Sequence, residues 1–185
     1  ASSVASASAD ALGAERVASD TSGPVDGAKF LGETRTNLVR LLGSKLGPIE
    51  RADAGVALAR IGDPRIDVTS VDHLELVEVP AGQFLMGESF QRVDLPRFWI
   101  SKFPITNAQY GEFVDAGGYD EGRFWSEAIA DGVWQDGEVE GAWAGKRRRP
   151  AESREPFGLP NHPVVGITWY EALAFTRWLT KRRRA

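Results

Sequence analysis

The chain contains no cysteine. These residues therefore hold no disulfide framework, no cysteine nucleophile and no cysteine-ligated zinc, haem or iron–sulfur centre. Histidine occurs only twice, as His73 and His162, too few for a histidine triad on a metal. No stretch approaches the roughly 18 consecutive apolar residues of a membrane span. The 22 Lys and Arg against 26 Asp and Glu leave a net charge of −4, which gives no drive toward nucleic acid or anionic membrane. The first residues lack both a basic n-region and an apolar h-region, so they read as no secretory leader. With the missing cysteine, this suits a cytoplasmic location.

The residues that are present fall unevenly. Of the six Trp, three Tyr and nine Phe, only Phe30 precedes Phe84. Aromatic side chains bury the largest areas, so the main core belongs to the later part of the chain. Residues 1–29, rich in Ala, Ser, Gly and Asp, bury too little to offset their ordering entropy and read as a flexible leader. Residues 30–70 read as a helical hairpin. Its first helix, Glu33 to Lys45, carries Leu38, Leu41, Leu42 and Leu46 at helical spacing and ends at Gly47-Pro48. Its second, Ile49 to Ile61, carries Ala52, Val56, Leu58 and Ala59 near one face and stops at Gly62-Asp63-Pro64.

From Leu74 the period shortens. Leu74 to Val79 and Gln83 to Met86 read as two strands joined in a hairpin by Pro80-Ala81-Gly82, with Phe84 and Met86 on one face. Val93, Leu95 and Phe98 to Ile100 suggest a third strand. Thr106 and Gln109 form a capping box for a helix with Tyr110, Phe113 and Val114 as its stripe, ended by Gly117-Gly118. A second box, Thr168 and Glu171, opens a helix carrying Ala172, Phe175, Trp178 and Leu179. Between them runs a long irregular stretch that holds Trp125, Trp134, Trp143 and the basic run Lys146 to Arg149. A loop of that length is either functional or structured by its own aromatics.

Three ordered blocks carry a resemblance. Val79-Pro80-Ala81-Gly82-Gln83-Phe84-Leu85-Met86-Gly87 resembles the opening signature of the formylglycine-generating enzyme (sulfatase-modifying factor) family. Phe98 to Tyr110, with Phe113 following, is similar to its second signature, and Asn161 to Ala172, running into Arg177, Trp178 and Leu179, to its third. Ala54 to Arg65 also resembles the helical lead-in of many bacterial members. The resemblance implies an α+β, C-type-lectin-like fold with two helices and short twisted sheets. Residues 71–185 would be its N-terminal half, with a Trp-rich insert at about 119–160. In the family, the copper-binding cysteine pair and most calcium ligands belong to the other half. The position before Arg177, often cysteine in relatives, is Thr176 here.

The chemistry is read in that light. A copper(I) centre needs soft thiolate ligands, which this sequence lacks, so no cofactor is expected within it, and calcium is left to the remaining half. His162, in a turn between Asn161 and Pro163, reads as a packing residue, and His73 as solvated. Asp115, Asp120, Glu121, Asp131, Asp136, Glu138 and Glu140 lack EF-hand spacing and read as a solvated acidic loop. Trp125, Trp134 and Trp143 are the candidate ligand-binding residues, because Trp beside Gly in loops marks recognition surfaces; a mini-core for the loop is the competing reading. Lys146 to Arg149 and Lys181 to Arg184 repeat one basic run, a patch for an acidic partner or plain surface charge.

The expected function is non-catalytic recognition of a protein or peptide ligand on this scaffold. The variable proteins of diversity-generating retroelements, which use the same fold, are the case the resemblance brings. The alternatives are a copper-dependent formylglycine-generating oxidase whose catalytic half lies elsewhere, and a sensor domain of a bacterial signalling or defence protein. The other half of the fold, from the same gene or a second chain, is an expected partner. Nucleic acid and membrane are not.

Overall fold

A computed structural model describes residues 26–141, 145–151 and 153–184. Helix α1 (Gly27–Leu42) begins where the Asp26 carboxylate accepts from the Ala28 amide. It therefore starts earlier than the leucine pattern suggests, because Asp26 supplies the cap. Helix α2 (Pro48–Ile61) opens with Pro48 at its first position, where a missing N–H costs nothing. Gly47-Pro48 thus starts the second helix instead of ending the first. Leu31 and Leu38 pack on Ala54, Ala57, Leu58 and Ile61. The buried face of α2 is rotated from the expected one: Ala52 is exposed, and the small Ala54 and Ala57 let α1 approach. Arg35 Nε donates to the Ile61 carbonyl at 2.9 Å and caps α2. A short helix, α3 (Ile66–Thr69), leads into the second unit.

The strands form two separate ribbons. β1 (Leu76–Val79) pairs antiparallel with β4 (Phe98–Ser101), and β2 (Gly82–Met86) pairs with β3 (Gln91–Leu95). The expected β1–β2 hairpin is absent. Pro80-Ala81 redirects the chain into a second ribbon, and the third expected strand is two. Every residue of β2 is exposed, Phe84, Leu85 and Met86 included.

Helix α4 (Asn107–Asp115) carries the expected capping box: Thr106 Oγ1 accepts from the Gln109 amide, and Gln109 Oε1 accepts from the Thr106 amide. The long stretch that follows is not irregular. It holds a 3-10 turn (Gly122–Phe124), α5 (Ser126–Ala130) and a three-stranded antiparallel sheet of β5 (Trp134–Gln135), β6 (Glu138–Gly141) and β7 (Gly145–Arg147), in the order β5-β6-β7. Helix α6 (Trp169–Arg184) closes the described chain. Its Ala174, Phe175 and Trp178 meet Tyr110, Phe113, Tyr119, Phe124, Trp125 and Val139 in one aromatic core. Gly118 makes this core fit, since a Cβ there would lie 2.0 Å from the Phe113 ring.

The helical hairpin is fastened to this unit by polar contacts. Asn161 Nδ2 donates to the Gly55 carbonyl at 2.9 Å and to Asp63 Oδ2 at 2.7 Å. Thr106 Oγ1 donates to the Val68 carbonyl at 2.7 Å, and Gln109 Nε2 to the Asp67 carbonyl at 2.8 Å. The capped start of α4 is thus held by the segment that follows α2.

Candidate functional site

Two features concentrate unusual side chains. The first is a sealed polar network at the start of α6. Glu171 is fully buried. Its Oε1 accepts from the Tyr119 hydroxyl at 2.6 Å and from Arg147 Nε at 3.3 Å. Its Oε2 accepts from Arg147 Nη2 at 2.5 Å and from the Thr168 amide at 2.6 Å. The Tyr110 hydroxyl lies 3.3 Å from that of Tyr119. Burial pushes both tyrosines well above their ordinary range; the Glu171 charge adds to it at Tyr110, and Tyr110 and then Glu171 add to it at Tyr119. A carboxylate offers about four acceptor sites, and here all are taken. Glu171 is therefore a brace between α6 and the insert, with no lone pair left to act as a base. Gly141 serves the same brace, because a Cβ there would collide with the Arg147 guanidinium at 1.6 Å.

The second feature is open. A groove of about 670 Å³ runs between the β1–β4 ribbon and α6. Tyr110, Ile105 and Phe175 lie along it, with Leu74, Leu76, Ile100 and Leu179, and Arg97, Arg183 and Arg184 line it as well. Trp99 of the groove is exposed, and so, elsewhere on the ribbons and the segment after them, are Phe84, Leu85, Met86 and Phe103. Exposed apolar side chains in such number are a mark of interaction surfaces.

The sequence-predicted site residues are placed differently. Trp125, expected at a ligand, is 1% exposed and belongs to the core, where its indole N–H donates to the Gly118 carbonyl at 2.9 Å. Trp134 is half-buried, stacks on Trp125 with ring centroids 6.2 Å apart and donates to the Tyr119 carbonyl. Both fill the insert, as Trp does when its N–H finds a partner inside. Trp143 lies outside the described residues. Among the described residues the exposed tryptophans are Trp99 and Trp169. His162 is part of the hairpin seam: Asn161 spends its amide on Gly55 and Asp63, so its Oδ1 faces His162 Nδ1 at 2.9 Å, and the imidazole donates there. Burial lowers the pKa of His162. His73 is exposed.

The acidic residues of the insert do not converge. Asp120 pairs with Arg148, Asp131 accepts from Tyr170, and Glu121 pairs with Arg123. Among the described residues no group of three or more His, Cys, Asp or Glu could hold a metal ion. With no cysteine in the sequence, the residues present do not fit a thiolate copper site. The basic runs divide in function. Arg147, its side chain largely covered, pairs with Glu171, and Arg148 ties Asp120 to the Asp136 carbonyl. Arg182 pairs with Asp72 and Glu112, and Arg183 Nη2 donates to the Leu74 carbonyl at 2.6 Å. Sequence reasoning missed Arg147 because four consecutive cations look alike and β7 is three residues long, too short for alternation to single one of them out.

A mixed α+β unit with two capping-box helices on one aromatic core and short ribbons beside it is the class this arrangement defines. The family described as sulfatase-modifying factor enzyme 1-like domain matches residues 66–183, and the chain belongs to that family. It is 35% identical over 133 residues to a formylglycine-generating enzyme of Streptomyces coelicolor, covering 57% of this chain and 42% of that protein. It is 32% identical over 148 residues to a hercynine oxygenase of Mycolicibacterium smegmatis, covering 70% of this chain and 32% of that protein. A serine/threonine-protein kinase pkn1 of Chlamydia pneumoniae is 30% identical over 116 residues, 58% of this chain and 17% of the kinase. The chain thus spans less than half the length of these curated relatives. Among the described residues no helix is long and apolar enough to cross a membrane.

Proposed function

We propose that this chain is the N-terminal half of a C-type-lectin-like scaffold that serves recognition of a protein or peptide ligand. In this reading the remaining half of the fold packs on the apolar face and completes the binding surface. One observation carries it: the polar and the open surfaces are separated. The buried acid and tyrosines and the half-buried arginine are consumed in bracing α6, while the open groove between β1–β4 and α6 is lined mainly by aliphatic and aromatic side chains. Such a groove binds and packs; it offers no acid–base pair to a substrate. A variable protein of a diversity-generating retroelement is the sharpest form of this reading.

The names of two relatives favour a second reading, oxidative catalysis; for a formylglycine-generating oxidase, copper would be held by cysteines of the remaining half. The kinase relative favours a third, a sensor domain joined to a signalling module. The deciding experiment assays the whole polypeptide that contains this chain for conversion of a peptidyl cysteine to formylglycine and for oxygenation of hercynine. The recognition reading expects neither product above the no-enzyme background. Turnover in either assay overturns it.

A further inference from the structure

The groove carries information about what fills it. Five consecutive residues, Arg97 to Ser101, line it, whereas β1 contributes only Leu76. Side chains of a strand alternate between faces, so an unbroken run of residues means that the edge of β4 is turned to the groove. That edge has no strand partner among the described residues, because the sheet consists of β1 and β4 alone. A two-stranded ribbon is marginal by itself and gains stability from a third strand. Its open row of N–H and C=O groups is a template for one.

The charge is one-sided too. Three arginines, Arg97, Arg183 and Arg184, line the groove, and no Asp or Glu does. Arg97 lies over the Trp99 ring at 5.1 Å and only 3.9 Å from Glu78, while Arg183 is turned to the Leu74 carbonyl. Arg184 forms no ion pair among the described residues. An occupant that covers this rim without a negative charge would leave cations beside an apolar surface, which is costly.

We propose that the groove is filled by an extended strand of the same family domain, in the same polypeptide, that adds to the free edge of β4 and carries an Asp or Glu against Arg183 and Arg184. This rests on the half-scaffold reading above and names the chemistry of the segment that completes it. The curated relatives are more than twice as long as the stretch they share with this chain, which leaves ample sequence for such a strand. Main-chain hydrogen bonds along β4 supply its affinity, alternate apolar side chains fill the space toward Phe175 and Leu179, and the carboxylate fixes its register.

The test uses the whole polypeptide with the exposed substitution R184K, which puts an amine where a carbodiimide can join it to a nearby carboxylate. Mass spectrometry then reads the cross-linked peptides. The expected result is an amide between position 184 and an Asp or Glu of the same molecule outside residues 26–184, at a several-fold higher yield than any other cross-link of that amine. A cross-link confined to Asp72, Glu75 or Glu78, to a second copy or to another protein overturns the proposal, as does no cross-link. Hydroxyl-radical oxidation of Trp99 in the unsubstituted protein separates the two levels. Trp99 oxidised several-fold more slowly than the exposed Trp169, but without the expected cross-link, leaves the groove closed and removes the acidic strand. Trp99 oxidised as fast as Trp169 removes both.

Discussion

The two faces of this molecule follow opposite rules. On the side of α4, the insert and α6, the core side chains are spent on one another: Phe113 touches Tyr110, Tyr119, Trp125, Phe175 and Trp178, and Glu171 has every acceptor site filled. On the side of the ribbons, Phe84, Met86, Trp99 and Ile100 face outward from sheets of two strands each. The same residue types therefore mean different things in the two places. Aromatics on the first side are structure. On the second they are unspent burial, and unspent burial is where association occurs.

The largest expected effects break the sealed side. Phe113→Ala opens a cavity at the centre of the core and costs about 3–5 kcal/mol. Glu171→Ala removes one member of a buried ion pair and strands Arg147 and Tyr119, at about 3–5 kcal/mol. Urea unfolding of each variant checks both. Losses below about 1 kcal/mol would show that this side is as loosely held as the ribbons.

The seam between hairpin and core comes next. Asn161→Ala deletes donors to Gly55 and Asp63, a loss of about 1–3 kcal/mol because one acceptor is charged. Its signature is local: hydrogen exchange speeds up across α1 and α2 while α4 and α6 keep their protection.

Acid acts on the same seam. Burial lowers the His162 pKa below its ordinary 6.5, so the unfolded chain takes up its proton first, and stability falls as pH drops below that value. Burial alone would raise the Asp63 carboxyl, but hydrogen bonds from Arg65 and Asn161 outweigh it and hold the pKa below 3.8. Its stabilising share is present above that value and is lost as pH falls through the lower, folded one. Thermal midpoints of the unsubstituted protein should fall in two stages on acidification, and His162→Gln should remove the first.

How much of this was readable in the sequence depends on how far apart the partners lie. The two capping boxes were legible because Thr106 with Gln109 and Thr168 with Glu171 are local pairs. The α2 face was not, because Ala54 and Ala57 are chosen by the neighbouring α1 and not by a strong apolar stripe. The ribbon pairing was not, because β1 finds β4 across an intervening ribbon and a turn signal at Pro80-Ala81 does not say which strand returns. The tryptophans of the insert were read toward a ligand because a loop was assumed, and β5, β6 and β7 are too short for their alternation to show. At the candidate groove, Leu74, Ile100 and Phe175 were each expected in some element, but only the fold puts them around one space.

The smallest expected effect is the most telling about the open side. Phe84→Ser and Ile100→Thr remove apolar surface that residues 26–184 leave in water, so in a protein limited to the present chain each should change stability by no more than about 0.5 kcal/mol. On the reading proposed above, the same substitutions in the whole polypeptide lie under the remaining half of the fold, where Ile100→Thr takes a methyl group out of a filled groove and leaves a hydroxyl to satisfy. There the cost should rise to about 1–3 kcal/mol. Paired unfolding measurements on the short and the whole protein give the difference directly. Equal, small effects in both would mean that the ribbons stay exposed and that the groove has no resident occupant. A larger cost in the whole protein would locate the missing burial on β2 and β4, and so fix where the two halves of the scaffold meet.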